Sequence, residues 1–269
     1  MDSYKSVSTA ILIILLSTVI NFVQCQETEL KSEWTSDSFY FKSESLFKCN
    51  IKLPENYNPD QTHTLVIGLH GGGSTPESFI KVWDDVKDVN FIYATPQGPY
   101  PILFDKLLYE WSLWSSPDLK LRERAAKLIS EYIADLVKVL KEKYKIDDIY
   151  LSGLSQGAIF TYVAGLQNYQ LYKGIIIFSG PGISEPLGDE KFAPNWLEEK
   201  YLEPAKTLRV FIAHGTKDQR VEYELGVKSK EVLTSYGYEV SFHSFEGGHT
   251  IDPEILKIAL EWINKEWYN

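Results

Sequence analysis

Residues 153 to 157 read Gly153-Leu154-Ser155-Gln156-Gly157, directly after the apolar run Ile149-Tyr150-Leu151-Ser152. This is the G-x-S-x-G pattern of a serine set on a sharp strand-to-helix turn, where glycines two residues to either side remove side chains that would collide with neighbouring elements. A serine hydroxyl is a poor nucleophile until a base takes its proton, and histidine is the side chain suited to that work near neutral pH. Five histidines are available. His63 lies ahead of the first strand of a later series and His243 within its last, where a satisfied structural position is the plainer reading. His70 and His214 end apolar runs just before glycines, where they shape turns or fill polar pockets. His249 differs, because it follows the last strand in Glu246-Gly247-Gly248-His249, on a loop leading to the final helix. Loops at the carboxyl ends of parallel strands are where such sheets bind ligands, which makes His249 the candidate base.

A base of this kind needs a carboxylate to orient its ring and stabilise its charged form. Asp218 follows the run Leu208 to Gly215 on the preceding loop and is the candidate orienter, with the N-cap region of the next helix as its bland reading. Asp252 is nearer His249, but Asp252-Pro253-Glu254 is a helix-capping pattern that explains it without a second role. Acyl transfer also needs donors for the oxyanion of a tetrahedral intermediate. His70-Gly71-Gly72-Gly73 ends another apolar run, so the N–H of Gly72, with Gly73 as the close alternative, is expected to work with the N–H of Gln156. No G-x-x-x-x-G-K, complete G-x-G-x-x-G, H-E-x-x-H or paired C-x-x-C occurs, so the sequence calls for no phosphate site, metal or cofactor.

These residues must be positioned by a scaffold, and its elements are legible as alternating patterns. Short β-branched or apolar runs recur at 64 to 70, 91 to 95, 149 to 153, 174 to 180, 208 to 215 and 238 to 245, as suits strands buried on both faces of a parallel sheet. Helical stretches fall between them. Thr75-Pro76-Glu77 and Ser116-Pro117-Asp118 are start signals, and Leu121, Ala125, Leu128, Tyr132, Leu136 and Leu140 form one apolar stripe before Tyr144. Residues 156 to 167, 222 to 235 and 253 to 267 complete the set. Ahead of them, the alternating Phe39, Phe41, Leu46, Phe47, Ile51 and Leu53 predict an antiparallel hairpin closed near Ser43 to Ser45. The expected fold class is a doubly wound, mostly parallel α/β sheet with that hairpin at its leading edge and no large cap domain. Two segments, 96 to 117 and 181 to 207, read as aromatic loops above Ser155. Trp111, Trp114 and Trp196 in them are candidate substrate contacts, with plain packing as the competing role.

The composition of the 269 residues, 44% hydrophobic and 24% charged with 2 Cys, is that of an ordinary globular chain. A formal charge of −10 sets the field of the protein against nucleic acid. Residues 10 to 23 form the most apolar run, preceded by Lys5, and read as a secretory signal peptide. A membrane span needs roughly 20 mostly apolar residues, and this run is shorter and holds Ser17, Thr18 and Asn21, so no span is expected in the mature chain. The division is then a signal peptide at 1 to 25 and one catalytic domain at 26 to 269, with a secreted or periplasmic location. Cys25 also permits a lipoprotein reading, ranked second because Gln24 stands where a small residue is usual. Cleavage there would remove one acid, Asp2, and one base, Lys5, leaving the net charge unchanged.

The segments LHGGG at 69 to 73, GLSQGA at 153 to 158, HGTKD at 214 to 218 and EGGH at 246 to 249 together resemble the phospholipase/carboxylesterase family of α/β-hydrolases, which includes the acyl-protein thioesterases, over about residues 62 to 267. The resemblance implies Ser155 as nucleophile, Asp218 as orienter and His249 as base. It implies a carboxylesterase that needs no cofactor and acts on small-molecule or polysaccharide-linked esters. Three glycines after His70, where the thioesterases usually place a bulkier residue, and the leader are departures that point away from an intracellular thioesterase. Secreted feruloyl and acetyl-xylan esterases share similar motifs, which makes plant-cell-wall esters an expectation. An acyl thioesterase, lysophospholipase or serine peptidase of the same fold is the alternative, and a non-catalytic binding protein on a hydrolase fold the contrasting class.

Overall fold

The computed structural model describes Ser43 and residues 45 to 103, 105 to 113, 116, 118 to 182 and 199 to 265. The predicted leader, Trp114 and Trp196 lie outside these residues. Compact units divide between Ser45 and Leu46, and the architecture that follows is that of the part beginning at Leu46.

Seven strands form one sheet: β1 (Cys49–Lys52), β2 (His63–Leu69), β3 (Ile92–Pro96), β6 (Ile146–Leu154), β7 (Gly174–Phe178), β8 (Arg209–Gly215) and β9 (Val240–Phe245). Their order is β1-β3-β2-β6-β7-β8-β9, and every neighbouring pair is parallel except β1 with β3. A separate antiparallel pair is made by β4 (Tyr100–Leu103) and β5 (Leu107–Glu110). Helices α1 (Pro76–Phe79), α2 (Leu119–Lys143), α3 (Gln156–Gln167), α4 (Glu199–Leu202) and α5 (Tyr223–Ser235) lie between strands, and α6 (Pro253–Asn264) follows β9.

The apolar runs of β3, β7 and β8 become strands buried at every residue, whereas β9 at the sheet edge is half-buried. Alternate residues of each strand enter different cores: Leu65, Ile67, Leu151, Ile175 and Ile212 pack with α2 and α3, whereas Val66, Tyr150, Ile176 and Phe211 pack with α6. Start signals act as the local chemistry dictates. Thr75 caps α1 in a reciprocal capping box with Ser78, and Asp252 caps α6 by accepting from the N–H groups of Glu254 and Ile255. At α2 the cap is Asp118 rather than Ser116, because the Asp118 carboxylate reaches the N–H of Leu121 at 3.1 Å. The stripe of α2 is also rotated slightly: Ala125, Ala126, Ile129, Ile133, Val137 and Leu140 are buried, while Leu128, Tyr132 and Leu136 lie at its margin.

Two expectations change at the leading side of the sheet. An antiparallel strand is present as β1, but its partner is β3, with Cys49 opposite Pro96 and Lys52 opposite Tyr93. Ser45 to Lys48 carry no strand, so the predicted hairpin closing near Ser43 to Ser45 is not what pairs β1; residues 37 to 42 lie outside the described residues. The hairpin that does form, β4–β5, occupies a segment read as loop, where Pro99, Pro101 and the aromatic side chains obscure the alternation. Among the described residues no helix is long and apolar enough to cross a membrane.

Helix α3 packs so closely on the sheet that a Cβ on Gly157 would lie 2.1 Å from the Leu69 carbonyl oxygen and 2.6 Å from that of His70. Gly157→Ala is therefore expected to cost about 3 kcal/mol, read as a lowered urea midpoint. Gly237→Ala, at φ +87° with open space around it, should cost only about 1 kcal/mol for its backbone conformation. Equal losses would contradict this close approach.

Candidate active site

Ser155 stands between β6 and α3 at φ 56° and ψ −118°, a region that serine rarely occupies. The turn is sharp enough that a Cβ on Gly153 would lie 2.4 Å from the Gly157 backbone. Neither that glycine nor Gly157 admits a side chain, which is the physical content of the motif. The Ser155 N–H donates to Phe178 O at 3.1 Å, tying the turn to the end of β7.

Two strands further along the same edge, Asp218 and His249 meet. His249 Nδ1 lies 2.7 Å from Asp218 Oδ2. A carboxylate only accepts, so Nδ1 carries the proton, which makes Nε2 the acceptor of the neutral ring. Asp218 is fully shielded and His249 is 11% exposed. The other carboxylate oxygen, Oδ1, accepts from the N–H groups of Arg220 at 2.8 Å and Val221 at 3.0 Å, so Asp218 builds a turn ahead of α5 instead of capping it. Burial pushes the Asp218 carboxyl up, but the Val221 N–H, His249 and the Arg220 N–H outweigh it, and its pKa sits below the ordinary carboxylate value. His214 lies beneath the pair, its Nε2 3.0 Å from Val221 O and 3.4 Å from Asp218 Oδ2. The loops carrying acid and base are joined by Thr216 N–H to Phe245 O, Lys217 N–H to Gly247 O, and a Lys217–Glu246 ion pair. Asp252, the rival acid, uses its carboxylate on the cap of α6. Ser155 shares the carboxyl edge of the sheet with the pair, and among the described residues its hydroxyl makes no hydrogen bond to His249. Such contacts are often formed only with substrate bound.

The glycine loop separates its two candidates. The N–H of Gly73 donates to Tyr109 O at 3.0 Å, so it is already engaged. Among the described residues nothing accepts from the N–H of Gly72 or of Gln156. His70 governs the direction of the first. The Gly98 N–H donates to His70 Nε2 at 3.1 Å, which requires that nitrogen to be bare, so Nδ1 carries the proton and donates to Gly71 O at 2.8 Å. Gly71 C=O and Gly72 N–H belong to one planar trans peptide and point oppositely, so holding the carbonyl aims the N–H. Burial lowers the His70 pKa to about 4, against smaller opposing effects of the Gly71 carbonyl and Glu77, so the ring is neutral at pH 7.

Trp111 corrects an expectation. Its ring is 0% exposed and does not wall an open cleft. Its Nε1–H donates to His70 O and its backbone N–H to Gln156 Oε1, each at 2.8 Å. The Gln156 amide also donates to Ser112 Oγ at 3.3 Å and lies against Gly72. Trp111, Ser112 and the Gln156 side chain thus form a buried frame around both free N–H groups. No sequence pattern signalled this frame: it depends on a hairpin stitched to the glycine loop, where Tyr109 N–H also donates to Ser74 O. Trp114 and Trp196 lie outside the described residues.

Residues 56 to 267 match the family model described as phospholipase/carboxylesterase. The chain belongs to this family. It is 31% identical over 220 residues to an acyl-protein thioesterase 1 of Neurospora crassa, covering 76% of this chain and 87% of that protein. It is 26% identical over 211 residues to the acyl-protein thioesterase 1 of Emericella nidulans, covering 71% and 85%. In fold it is similar to the crystal structure of esterase PE8, with a TM-score of 0.60 at 24% identity over 81% of this chain and 97% of that one. The family is one of α/β-hydrolase serine enzymes that cleave ester bonds.

Two titrations follow from the site. A depressed Asp218 pKa gives stability that is full above the ordinary value of 3.8 and lost as pH falls through the folded value. Asp218→Asn is expected to melt below the wild type at pH 7, with the gap closing under pH 4; a gap independent of pH would contradict the ionised, bonded carboxylate. A depressed His70 pKa works over a higher window: unfolded chains take up the proton near 6.5 and the folded one only at about 4, so stability declines as pH falls between them. His70→Asn, which keeps a donor near the Nδ1 position, should show a shallower decline in melting temperature across that window, and an unchanged slope would remove the buried neutral ring from the account.

Proposed function

We propose that this chain is an exported carboxylesterase that hydrolyses esters through an acyl-enzyme on Ser155, with His249 as base and Asp218 as orienter. The observation that carries the reading is the strained Ser155 turn on the same sheet edge as the 2.7 Å His249–Asp218 pair, with the unengaged N–H groups of Gly72 and Gln156 beside it.

In the first half-reaction His249 Nε2 takes the Ser155 proton as Oγ attacks the ester carbonyl, and the charge that develops on oxygen is received by the two N–H groups. The tetrahedral intermediate collapses, the C–O bond to the alcohol breaks, and the alcohol leaves with the proton from His249. Water, deprotonated by His249, then attacks the acyl-enzyme and releases the acid and the free serine. The buried, ionised Asp218 stabilises the imidazolium in both halves without taking its proton. Thioesters follow the same course with a thiol leaving group, and the thioesterase relatives support including them.

Export rests on the apolar run at residues 10 to 23 behind Lys5. Polysaccharide-linked or feruloyl esters follow as the outer-compartment substrates of this reading, with less support than the chemistry itself because the Trp111 ring is buried.

The test is hydrolysis of p-nitrophenyl esters from acetate to decanoate beside an acyl thioester, methyl ferulate and acetylated xylan. Ser155→Ala is expected to lower kcat by about 10⁴-fold or more with the fold intact by circular dichroism. Retained activity in the variant would remove Ser155 as nucleophile. No activity on any ester in a folded wild type would leave the serine-peptidase and binding-protein readings.

A further inference from the structure

In the catalytic reading Ser155 and His249 exchange a proton, and among the described residues no hydrogen bond joins them directly; the segment Phe178–Ser179, at the end of β7 beside β6, instead links the backbone of one to the loop of the other. Its second residue is Ser179. It is fully buried and held at φ +43°, a conformation in which glycine is unstrained and serine is not. The next residue, Gly180, shows that glycine is available to this segment. A serine kept in this conformation supplies a hydroxyl at the expense of strain.

That hydroxyl donates to Thr250 O at 3.3 Å. Thr250 follows His249, and its own N–H donates to Gly248 O at 3.0 Å, closing a tight turn with His249 at the centre. On the other side, the carbonyl just before Ser179, Phe178 O, receives the Ser155 N–H at 3.1 Å, and the Ser179 N–H is fixed to Ala213 O on β8 at 2.9 Å. The path from nucleophile to base is therefore short: a hydrogen bond from Ser155 to Phe178, the covalent step to Ser179, a hydrogen bond to Thr250, and the covalent step back to His249.

We propose that Ser179 is a positioning residue that sets the distance between Ser155 and His249 by bridging their backbones. This rests on the catalytic assignment made above. The bridge touches neither substrate nor the reacting atoms, and its effect belongs to the proton-transfer geometry, where small displacements are costly in rate. At 3.3 Å the Ser179 bond is long, so its loss changes placement more than stability.

Ser179→Gly and Ser179→Ala separate the two roles, because glycine removes both the hydroxyl and the strain whereas alanine removes the hydroxyl alone. The full chain, both variants and Ser155→Ala are compared by kcat and KM on p-nitrophenyl acetate, by the rate of phosphonylation with a fluorophosphonate, and by thermal melting. Ser179→Gly is expected to melt within about 2 °C of the wild type or above it. Its kcat and phosphonylation rate should fall together by about tenfold, with KM within about twofold. Ser179→Ala should lose rate similarly and melt lower. A wild-type kcat in Ser179→Gly overturns the proposal, as does a loss of rate that only follows a loss of folded protein. A folded wild type that neither hydrolyses esters nor is phosphonylated brings down the catalytic assignment, and this proposal with it. That failure is distinguishable from a catalytically active wild type matched by its glycine variant.

Discussion

A serine held at positive φ between a central strand and a buried helix is the constraint around which the rest of this molecule is arranged. Such a backbone costs on the order of 1–3 kcal/mol and persists only if its surroundings leave no alternative. Here β6 has parallel neighbours on both sides, β2 and β7, and α3 is buried along nearly its whole length. The chain must reverse between two immobile elements with one residue at the corner. Gly153 and Gly157 let those elements close to contact, and Phe178 O holds the N–H of the corner residue. The same geometry starts α3 immediately after Ser155, leaving the N–H of Gln156 as an unsatisfied first-turn donor at the place where an oxyanion would form.

The second donor depends on a polar network that is buried and satisfied at each of its key positions. His70 bridges Gly71 O and Gly98 N–H, Trp111 bridges His70 O and Gln156, and Gln156 reaches on to Ser112. In a low-dielectric interior these bonds are stiff, and a group aimed by them need not reorganise when charge appears. The proposed acid is treated similarly: two N–H groups hold one oxygen of Asp218, leaving the other for His249. Each reactive group is therefore placed by backbone amides or by side chains that solvent hardly reaches.

Most of the sheet was legible because a parallel strand buried on both faces reads as a near-continuous apolar run, and TLVIGLH, GIIIFSG and LRVFIAHG carry that mark. The turn of the candidate site was legible because its backbone requirements exclude all but glycine two residues to either side of Ser155. What escaped was whatever depends on partners distant in sequence. The alternation before Lys52 does not reveal that β1 pairs with β3 forty residues later, and Pro101 masks β4 inside what reads as loop. An indole is equally able to wall a cleft or to anchor a loop, and only the positions of His70 O and Gln156 Oε1 decide for Trp111. Ser179 carries no sequence signal at all, since nothing in Phe178-Ser179-Gly180 states that the serine and not the glycine takes the strained conformation.

The most direct measurement is the structure of the enzyme treated with an alkyl or aryl boronic acid, whose tetrahedral adduct imitates the acyl-transfer intermediate. The expected adduct has a covalent bond from Ser155 Oγ to boron, one boronate oxygen accepting from both Gly72 and Gln156 N–H, and His249 Nε2 within hydrogen-bond distance of another. Boron bonded to a different residue, or an adduct oxygen that turns away from those two N–H groups, would contradict it.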